Sequence, residues 1–576
     1  MRFELGEHAS AVAAAQSRWE SESRTKRLWA RDATIFSNTD EARWLGWLEL
    51  PTAPAAETIG SPALREAIAA HPADTTVVLG MGGSSLWPDV LGRTWNDRPT
   101  AASGRRRRLL VLDSTVPDAI EAFLARVPSE RCLFFVSSKS GSTIEPNALF
   151  ELIHARLAAN IGAAAASRHF VAITDPASAL EARARAAGFL GIALGRSDVG
   201  GRFSALSPFG LLPAAAMGLE PETLVARACA MAAACGPDIS AESNPGVALG
   251  LALGTLAQRG HDKLTLSLSP EIESFGGWIE QLVAESTGKA GHGILPIPDE
   301  GLGEPGRYAS DRVFVDLAVA GDATTKTRAG YLDALARAGH PVIRIELADA
   351  YDLGQAVFQW ELATAVVGSV LGLNPFDQPD VESAKQVTRE LMAATASAPG
   401  QARDAADLEA GGIRIFASKS LASALRASQG DPSRLVKSLV DSLAPNDSFI
   451  VNAFLTDSPE VRAQLERIRA AIGPARRVAT ALSFGPRYLH SSGQLHKGGP
   501  DRIVGLQLWQ SAGARKGAAL AIPGIGGDFD RLAEAQAVGD FRVLSERGRR
   551  MLGIDVGADP AVALEELTRW VEGALA

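Results

Sequence analysis

The stretch of the chain that most suggests chemistry is VSSKSGSTIEP, which spans residues 136–146. Hydroxyl side chains crowd around one glycine and one lysine there, and the polar residues are Ser137, Ser138, Lys139, Ser140, Ser142 and Thr143. Hydroxyls, a lysine and a glycine that lets the backbone approach a ligand can cradle an anion such as a phosphate. A serine-rich turn that caps the next helix would use the same residues. The density of hydroxyls favours the anion site.

A second turn of this kind is LGMGGSSLWP, at residues 79–88. Gly82, Gly83 and Ser84 would let the backbone come close to a ligand. The segment lacks the GxGxxG spacing and the later acidic residue of a dinucleotide site, so it does not predict a nucleotide cofactor. Taken alone, it is a common strand-to-helix turn.

Arg202 lies between a glycine pair and a Phe-Ser pair in DVGGRFSALSPFG, residues 198–210. An arginine that the backbone can carry close to a ligand suits a phosphate or a developing oxyanion. A surface salt bridge is the alternative, and this segment alone does not decide between the two.

Glu285 is predicted to lie in the last turn of a helix that ends near Gly288. The predicted buried face of this helix consists of Trp278, Ile279, Leu282 and Val283. The helix dipole disfavours a carboxylate at this end, so Glu285 is either solvated or kept for a purpose. In an enclosed site the same placement would raise its proton affinity, as a general base needs. Most glutamates at helix ends are simply exposed.

The segment NPFDQPDVESAKQ, residues 374–386, places Gln378, Glu382 and Lys385 at spacings that can share one helical face. The default interpretation is an exposed Glu-Lys pair.

Short apolar runs alternate with Ala-rich helical stretches, which predicts helices packed on mostly parallel sheets. The first series of strands begins near residues 75, 108, 132 and 169, the second near 262, 293, 311 and 340, and the third near 412, 447, 477 and 501. Residues 392–412 form the candidate linker. We predict a helical segment over 1–50, α/β domains over 51–240 and 241–395, and a C-terminal α/β unit over 396–576.

Composition excludes several classes of function. A net charge of −9 argues against a general nucleic-acid surface, which needs clustered Lys and Arg. Three scattered cysteines predict neither a disulfide framework nor a zinc site. No apolar run reaches the ~20 residues that span a bilayer, and the first 20 residues lack the apolar core of an export signal. We therefore expect a cytoplasmic protein with no nucleic-acid or membrane partner.

In their sequences and in their order along the chain, these segments together resemble the glucose-6-phosphate isomerase family, whose members contain two sugar-isomerase α/β domains. The resemblance runs from about residue 75 to 390. It is carried by DVGGRFSALSPFG, FDQPDVESAK, SKSGST and ESTGK. The segment GPRYLHSSGQLHKGGP, residues 485–500, is also similar to the isomerase half of bacterial transaldolase–isomerase fusion proteins.

The resemblance implies interconversion of glucose 6-phosphate and fructose 6-phosphate through a cis-enediol. Glu285 would be the base, Arg202 would stabilise the enediolate, Lys385 would assist ring opening, and Gln378 would lie near the substrate. The phosphate would be held by Ser138, Lys139, Ser140, Ser142 and Thr143, and the sugar would be lined by Gly83 and Ser84. The reaction involves no redox step, so we expect neither a metal nor an organic cofactor. The partner would be a small sugar phosphate, and a homodimer is compatible with the resemblance.

The chain departs from the family at one catalytic position. Members have a histidine after their GEPG stretch that contributes to ring opening, whereas GEPGRYASDRVF places Asp311 at or near that position. His292, His490 and His496 are the candidate substitutes. A histidine in a polar, glycine-containing loop is less expected in a core than one on an apolar helix. We predict His496 as the ring-opening residue.

Two other functions fit the same domains. A non-catalytic sugar-phosphate sensor would keep the Ser/Thr loop and could lose the base and the arginine. An isomerase of another hexose phosphate, such as mannose 6-phosphate, cannot be separated by sequence.

Overall fold

A computed structural model of the chain describes residues 1–98, 106–380, 387–388, 390–391, 405–524 and 526–576. Within these ranges the backbone forms three β-sheets with α-helices packed against them. The mixed α/β class with parallel sheets is confirmed. The predicted domain boundaries stay predictions.

The helices connect the strands and cover the sheets. In chain order they are α1 Ala9–Ser21, α2 Arg24–Trp29, α3 Ala55–Thr58, α4 Pro62–Ala70, α5 Leu86–Trp95, α6 Pro117–Arg126, α7 Ile144–Ile161, α8 Ala163–Ser167, α9 Ala179–Ala187, α10 Pro208–Met217, α11 Pro221–Ala234, α12 Pro245–Gln258, α13 Phe275–Thr287, α14 Thr325–Arg337, α15 Leu353–Leu371, α16 Ala422–Ser428, α17 Pro432–Asp441, α18 Pro459–Arg476, α19 Gly493–Gly498, α20 Phe529–Glu546 and α21 Pro560–Leu575. Proline opens several of them because its missing N–H costs nothing at the first helical position.

The first sheet follows the N-terminal helices. Its strands are β2 Thr75–Gly80, β3 Arg108–Leu112, β4 Cys132–Ser137, β5 Phe170–Thr174 and β6 Gly191–Leu194, all parallel in the order β3-β2-β4-β5-β6. Val78 and Phe135 belong to one apolar cluster, whereas Val77 and Phe134 belong to another. Because side chains alternate along a strand, the central strands β2, β4 and β5 are buried on both faces, which explains why their sequences are mostly apolar.

The second sheet contains both the first strand and the middle of the chain. The strands are β1 Arg2–Glu4, β7 Lys263–Leu268, β8 Leu295–Ile297, β9 Arg312–Val319 and β10 Val342–Leu347. Their order is β1-β10-β9-β7-β8, and all neighbours are parallel except β1 and β10. The segment predicted as helical over 1–50 therefore contributes a strand as well.

The third sheet belongs to the C-terminal unit. Its strands are β11 Leu408–Ala410, β12 Ile413–Ala417, β13 Ser448–Phe454, β14 Ala479–Phe484, β15 Ile503–Trp509 and β16 Arg550–Asp555, in the order β11-β12-β16-β15-β13-β14. This unit has its own large apolar cluster, whereas the first two sheets share one. Apolar contacts also join this unit to the rest of the chain, since Leu520, Ile522, Phe529 and Leu532 pack in the second apolar cluster of the first sheet, and Leu495 packs with Ala284, Leu295 and Ile297. Most of the predicted linker, residues 392–404, lies outside the described residues.

The sequence predicted no disulfide framework and no membrane-spanning segment. All three cysteines are free thiols. None of the described helices has the length and apolar character needed to cross a membrane.

Candidate active site

The site forms at the carboxyl edge of the first sheet, between β2 and β4. The strand order places β3 on one side of β2 and β4 on the other, so the chain leaves β2 and β4 in opposite directions. Ligands of open parallel sheets bind at such a switch point. The turns that leave it, at residues 81–85 and 138–143, are the two stretches that the sequence selected.

The first of these turns touches three other segments of the chain. A Cβ at Gly83 would lie 2.0 Å from the carbonyl oxygen of Gly201, in the loop that carries the predicted arginine. Gly82 has φ +54°, and a Cβ there would lie 2.7 Å from both Gln281 Nε2 and the carbonyl oxygen of His490. Glycine is therefore required for these segments to meet. Ser84 completes the turn and is buried.

Arg202 is buried and hydrogen-bonded, so it is not a surface salt-bridge residue. Its Nε donates to Ser286 Oγ at 2.8 Å, and its Nη2 donates to the carbonyl oxygens of Pro375 and Asp377 at 2.6 and 2.9 Å. Burial lowers the pKa of the guanidinium, while the nearby Glu285 carboxylate opposes that shift. The side chain joins α13 to the segment that precedes residue 381.

Glu285 lies in the last turn of α13, as predicted, and is buried rather than exposed. Its Oε1 is 3.4 Å from Arg202 Nη1, and its Oε2 accepts a hydrogen bond from Gln281 Nε2 at 3.1 Å. Residues 281 and 285 are one helical turn apart, so the helix itself aligns the two side chains. A carboxylate and a guanidinium from distant parts of the sequence thus meet inside the protein.

Lys289 is a further buried cation that the sequence did not single out. Its Nζ donates to Asp377 Oδ1 at 2.6 Å and to the carbonyl oxygens of Asn374 and Asp377 at 2.8 and 2.6 Å. Burial, reinforced by the charge of Arg202, lowers its pKa to about 8. Lys289 and Arg202 together fix the backbone at residues 374–378.

Gln378 and Lys385 belong to this same predicted segment. Gln378 Oε1 accepts a hydrogen bond from Arg202 Nη1 at 3.0 Å, so it contacts the predicted site through the arginine. Lys385 lies outside the described residues, and its role stays a prediction.

The predicted phosphate loop connects β4 to the first turn of α7. Ser138 Oγ donates to Thr143 Oγ1 at 2.9 Å, and the hydroxyls of Ser140 and Ser142 lie 3.0 Å apart. Ser140 and Ser142 are exposed, so their hydroxyls can exchange these mutual bonds for bonds to a ligand. Lys139 differs from the expectation, since its Nζ contacts the Asp175 carboxylate and donates to the carbonyl oxygen of Arg196 at 2.9 Å. Its charge is already paired.

The structure argues against His496 as a residue that reaches a substrate. Its side chain is fully buried in α19, and within the described residues neither ring nitrogen makes a hydrogen bond. Burial lowers its pKa to about 3, so it stays neutral at physiological pH. The polar loop sequence suggested exposure, but α19 turns this side chain into the C-terminal unit. Asp311 is also buried, beside Lys263 at the start of β9, and burial raises its pKa.

His490 is the histidine that the C-terminal unit brings to the site. Its carbonyl oxygen accepts a hydrogen bond from Gln281 Nε2 at 2.8 Å, and its ring Nε2 lies 3.0 Å from Glu145 Oε1. Local sequence does not distinguish it from His496, because the two lie six residues apart in one polar stretch. No sequence motif predicted that Gln281 and Glu145 would belong to the candidate site.

Arg487 docks the C-terminal unit onto the first sheet. Its Nη2 donates to Asp89 Oδ2 at 2.6 Å, and its Nε is 3.3 Å from Asp113 Oδ2. Burial raises the pKa of Asp113, an effect that the Arg487 charge opposes. Ser85 Oγ donates to the same Asp113 oxygen at 3.2 Å. The cluster formed by Arg487, Asp89 and Asp113 therefore contacts the 81–85 turn of the site.

Replacing Arg487 by Met should destabilise the protein, because it leaves the partly buried Asp113 carboxylate without its ion-pair partner and Asp89 with Arg93 alone. We expect a loss of about 2 kcal/mol, between the values for surface and for buried ion pairs. The thermal unfolding midpoint measures the effect, and adding Asp113→Asn should recover part of it. Arg467→Met, which removes an exposed pair with Glu572, is the matched control and should leave the unfolding midpoint nearly unchanged. Equal midpoints for both variants would contradict a docking role for Arg487.

Known proteins resemble more than half of this chain. A glucose-6-phosphate isomerase from Rubrobacter xylanophilus is 31% identical over 372 residues, which cover 55% of this chain and 82% of that protein. A glucose-6-phosphate isomerase from Symbiobacterium thermophilum is 30% identical over 397 residues, which cover 61% of this chain and 87% of that protein. No family model matches the chain.

Among solved structures, a hypothetical protein from Thermus thermophilus has the same fold. It is 26% identical and superposes with a TM-score of 0.58, covering 68% of this chain and 99% of that one. The shared region is thus about two thirds of the present chain.

Proposed function

Because the chain belongs to the glucose-6-phosphate isomerase family, we propose that it interconverts glucose 6-phosphate and fructose 6-phosphate through a cis-enediolate, with Glu285 as the base. The observation that carries the mechanism is the buried contact between Glu285 and Arg202. Isomerisation of an aldose to a ketose needs a base for the C2 proton and a cation for the oxyanion that forms beside it. These two groups are present together.

Glu285 takes the proton from C2 of the open-chain aldose and returns it at C1. Removal of a proton next to a carbonyl is fast only when the base is held in line with that proton. Gln281 holds one carboxylate oxygen through its hydrogen bond, so the other oxygen has a defined position. The mechanism needs no second base, because one carboxylate can reach both adjacent carbons.

Arg202 stabilises the negative charge that develops on the enediolate oxygen. Its hydrogen bonds to Ser286 and to two backbone carbonyls hold the guanidinium before the substrate binds. A donor fixed in advance costs no reorganisation in the transition state, which is where electrostatic catalysis gains most.

The 138–143 loop binds the phosphate at the far end of the substrate. Its hydroxyls and backbone N–H groups lie at the N-terminus of α7, where the helix dipole favours an anion. Binding energy at a group remote from the reacting carbons orients the substrate without taking part in the chemistry. Lys139 contributes through the field of its ion pair with Asp175 rather than as a free cation.

A coupled assay tests this function directly. Purified protein is given fructose 6-phosphate, and glucose 6-phosphate is followed with a dehydrogenase that reduces NADP. Turnover is expected, and correctly folded protein without turnover would contradict the proposal. The sensor alternative is less favoured, because a protein that only binds the phosphate would have no use for the Glu285–Arg202 contact. Mannose 6-phosphate in the same assay tests the substrate range.

A further inference from the structure

Residues 487–490 of the C-terminal unit, which form a single 3₁₀ turn, reach the proposed site. The carbonyl oxygen of His490 accepts a hydrogen bond from Gln281 Nε2, and the same nitrogen donates to Glu285 Oε2. One amide group therefore connects the proposed base to the backbone of His490. The absence of a side chain at Gly82 makes this approach possible.

The ring of His490 is held on one side only. Its Nε2 lies 3.0 Å from Glu145 Oε1, and Gln536 Nε2 donates to that same oxygen at 2.7 Å. Within the described residues the other ring nitrogen, Nδ1, makes no hydrogen bond, and the side chain is 15% exposed. A histidine whose one nitrogen faces a carboxylate and whose other nitrogen is open is arranged for proton transfer.

Glu145 links this histidine to the phosphate loop. It lies in the first turn of α7, just after Thr143, and is buried. Gln536, on α20, also accepts a hydrogen bond from Thr115 Oγ1 at 2.6 Å, in the turn after β3. The C-terminal unit thus contacts three turns at the carboxyl edge of the first sheet, and His490 lies where these contacts converge.

Other candidates for a proton-transfer group fit less well. His496 is buried and neutral, and Asp311 is enclosed beside Lys263. His292 is exposed on the turn after α13, and its side chain makes no hydrogen bond within the described part of the chain. Of these residues, His490 alone combines a fixed orientation with contact to Gln281, the partner of Glu285.

We propose that His490 opens the sugar ring and that the C-terminal unit completes the active site of its own chain. This inference rests on the proposed isomerase function. Nδ1 takes the proton from the anomeric hydroxyl as the carbonyl forms at C2 of fructose 6-phosphate. The bond from C2 to the ring oxygen O5 breaks with its electron pair going to O5, and Nδ1 returns the proton there. The net change moves one proton from O2 to O5, and Glu145 steadies the imidazolium in between.

The test compares a cyclic with an open-chain substrate. Fructose 6-phosphate closes only through its 5-hydroxyl, so 5-deoxyfructose 6-phosphate cannot form a ring. The variant His490→Gln should turn over fructose 6-phosphate about 100-fold more slowly than the wild type, a typical effect of losing an acid–base group. Its rate on the deoxy compound should stay within about threefold. His292→Gln is the matched control and should leave both rates unchanged.

Each contrary outcome has a distinct meaning. Equal losses on the two substrates, or no loss on either, would overturn the role of His490. Absence of turnover by the wild-type protein on fructose 6-phosphate would overturn the isomerase function and this inference with it. As a second measurement, NMR exchange between the α and β anomers of glucose 6-phosphate should be accelerated by Glu285→Gln and not by the Glu285→Gln/His490→Gln double variant. Glu145→Gln should reduce that acceleration partly, as expected for a positioning residue.

A separate experiment tests whether Glu285 and His490 of one active site come from the same chain. The single variants Glu285→Gln and His490→Gln are co-expressed with different tags, and any mixed assembly is purified. If each site takes both residues from one chain, no activity above the sum of the two variants appears. Recovered activity in the mixed assembly would show that His490 acts on a neighbouring copy, and would overturn the proposal of a self-contained site.

Discussion

Replacing Glu285 by Gln should lower kcat for fructose 6-phosphate by about 1,000-fold, because the amide keeps the shape of the side chain and cannot accept the C2 proton. The same variant should no longer exchange deuterium from solvent into C2 of glucose 6-phosphate, which mass spectrometry measures directly. Binding should change much less than kcat, since the amide oxygen of Gln can still accept from one of the two donors, Arg202 Nη1 or Gln281 Nε2.

The control for this substitution is Glu273→Gln. Glu273 is exposed just before α13, so its replacement changes net charge equally without touching the site. Its kcat should match the wild type. Deuterium exchange that persists in Glu285→Gln would show that another group is the base.

Replacing Arg202 by Lys should lower kcat/KM by a comparable factor, about 100- to 1,000-fold, typical of losing a fixed oxyanion donor. Lysine keeps the charge but lacks the planar fork, so it cannot bond Ser286, Pro375 and Gln378 at once. We therefore expect the substitution to lower kcat much more than the affinity for substrate. Stopped-flow measurements of substrate binding give the affinity separately from kcat.

Arg196→Lys is the matched control for Arg202→Lys. Arg196 lies in the neighbouring loop, where its guanidinium forms a bidentate pair with Asp198, and it is only partly buried. The control should keep nearly full activity. A similar fall in both variants would indicate that the loop as a whole has been disturbed and that Arg202 has no special role.

Strands could be predicted from the sequence where all their residues are buried. TTVVLG is buried throughout, its apolar residues enter two different cores alternately, and β2 appears where that run predicts it. Strand β1 was not predicted, because three residues are too few to show a period. Its place is decided by β10, far along the chain.

The residues of the candidate site could be predicted mainly because the sequence motifs resemble those of the isomerase family. Nothing in the spacing of Arg202 and Glu285 says that they meet, since the meeting depends on how α13 packs against the loop before α10. Local pattern also did not show which of two histidines is buried. It favoured His496, whose side chain is fully buried in α19, whereas the ring of His490 lies 3.0 Å from Glu145, in a distant part of the chain.

The pairing of β1 with β10 bears on how the protein is made. Arg344 bonds to Glu4 across 340 residues of chain. At ~5–20 residues added per second, the ribosome needs roughly 17 to 70 s to deliver the second of these strands after the first. Throughout that interval residues 2–4 lack their partner, and β10 must then pair with a segment synthesised long before it. We expect the second sheet to close late in synthesis, and this edge to be where nascent chains are most exposed to chaperones.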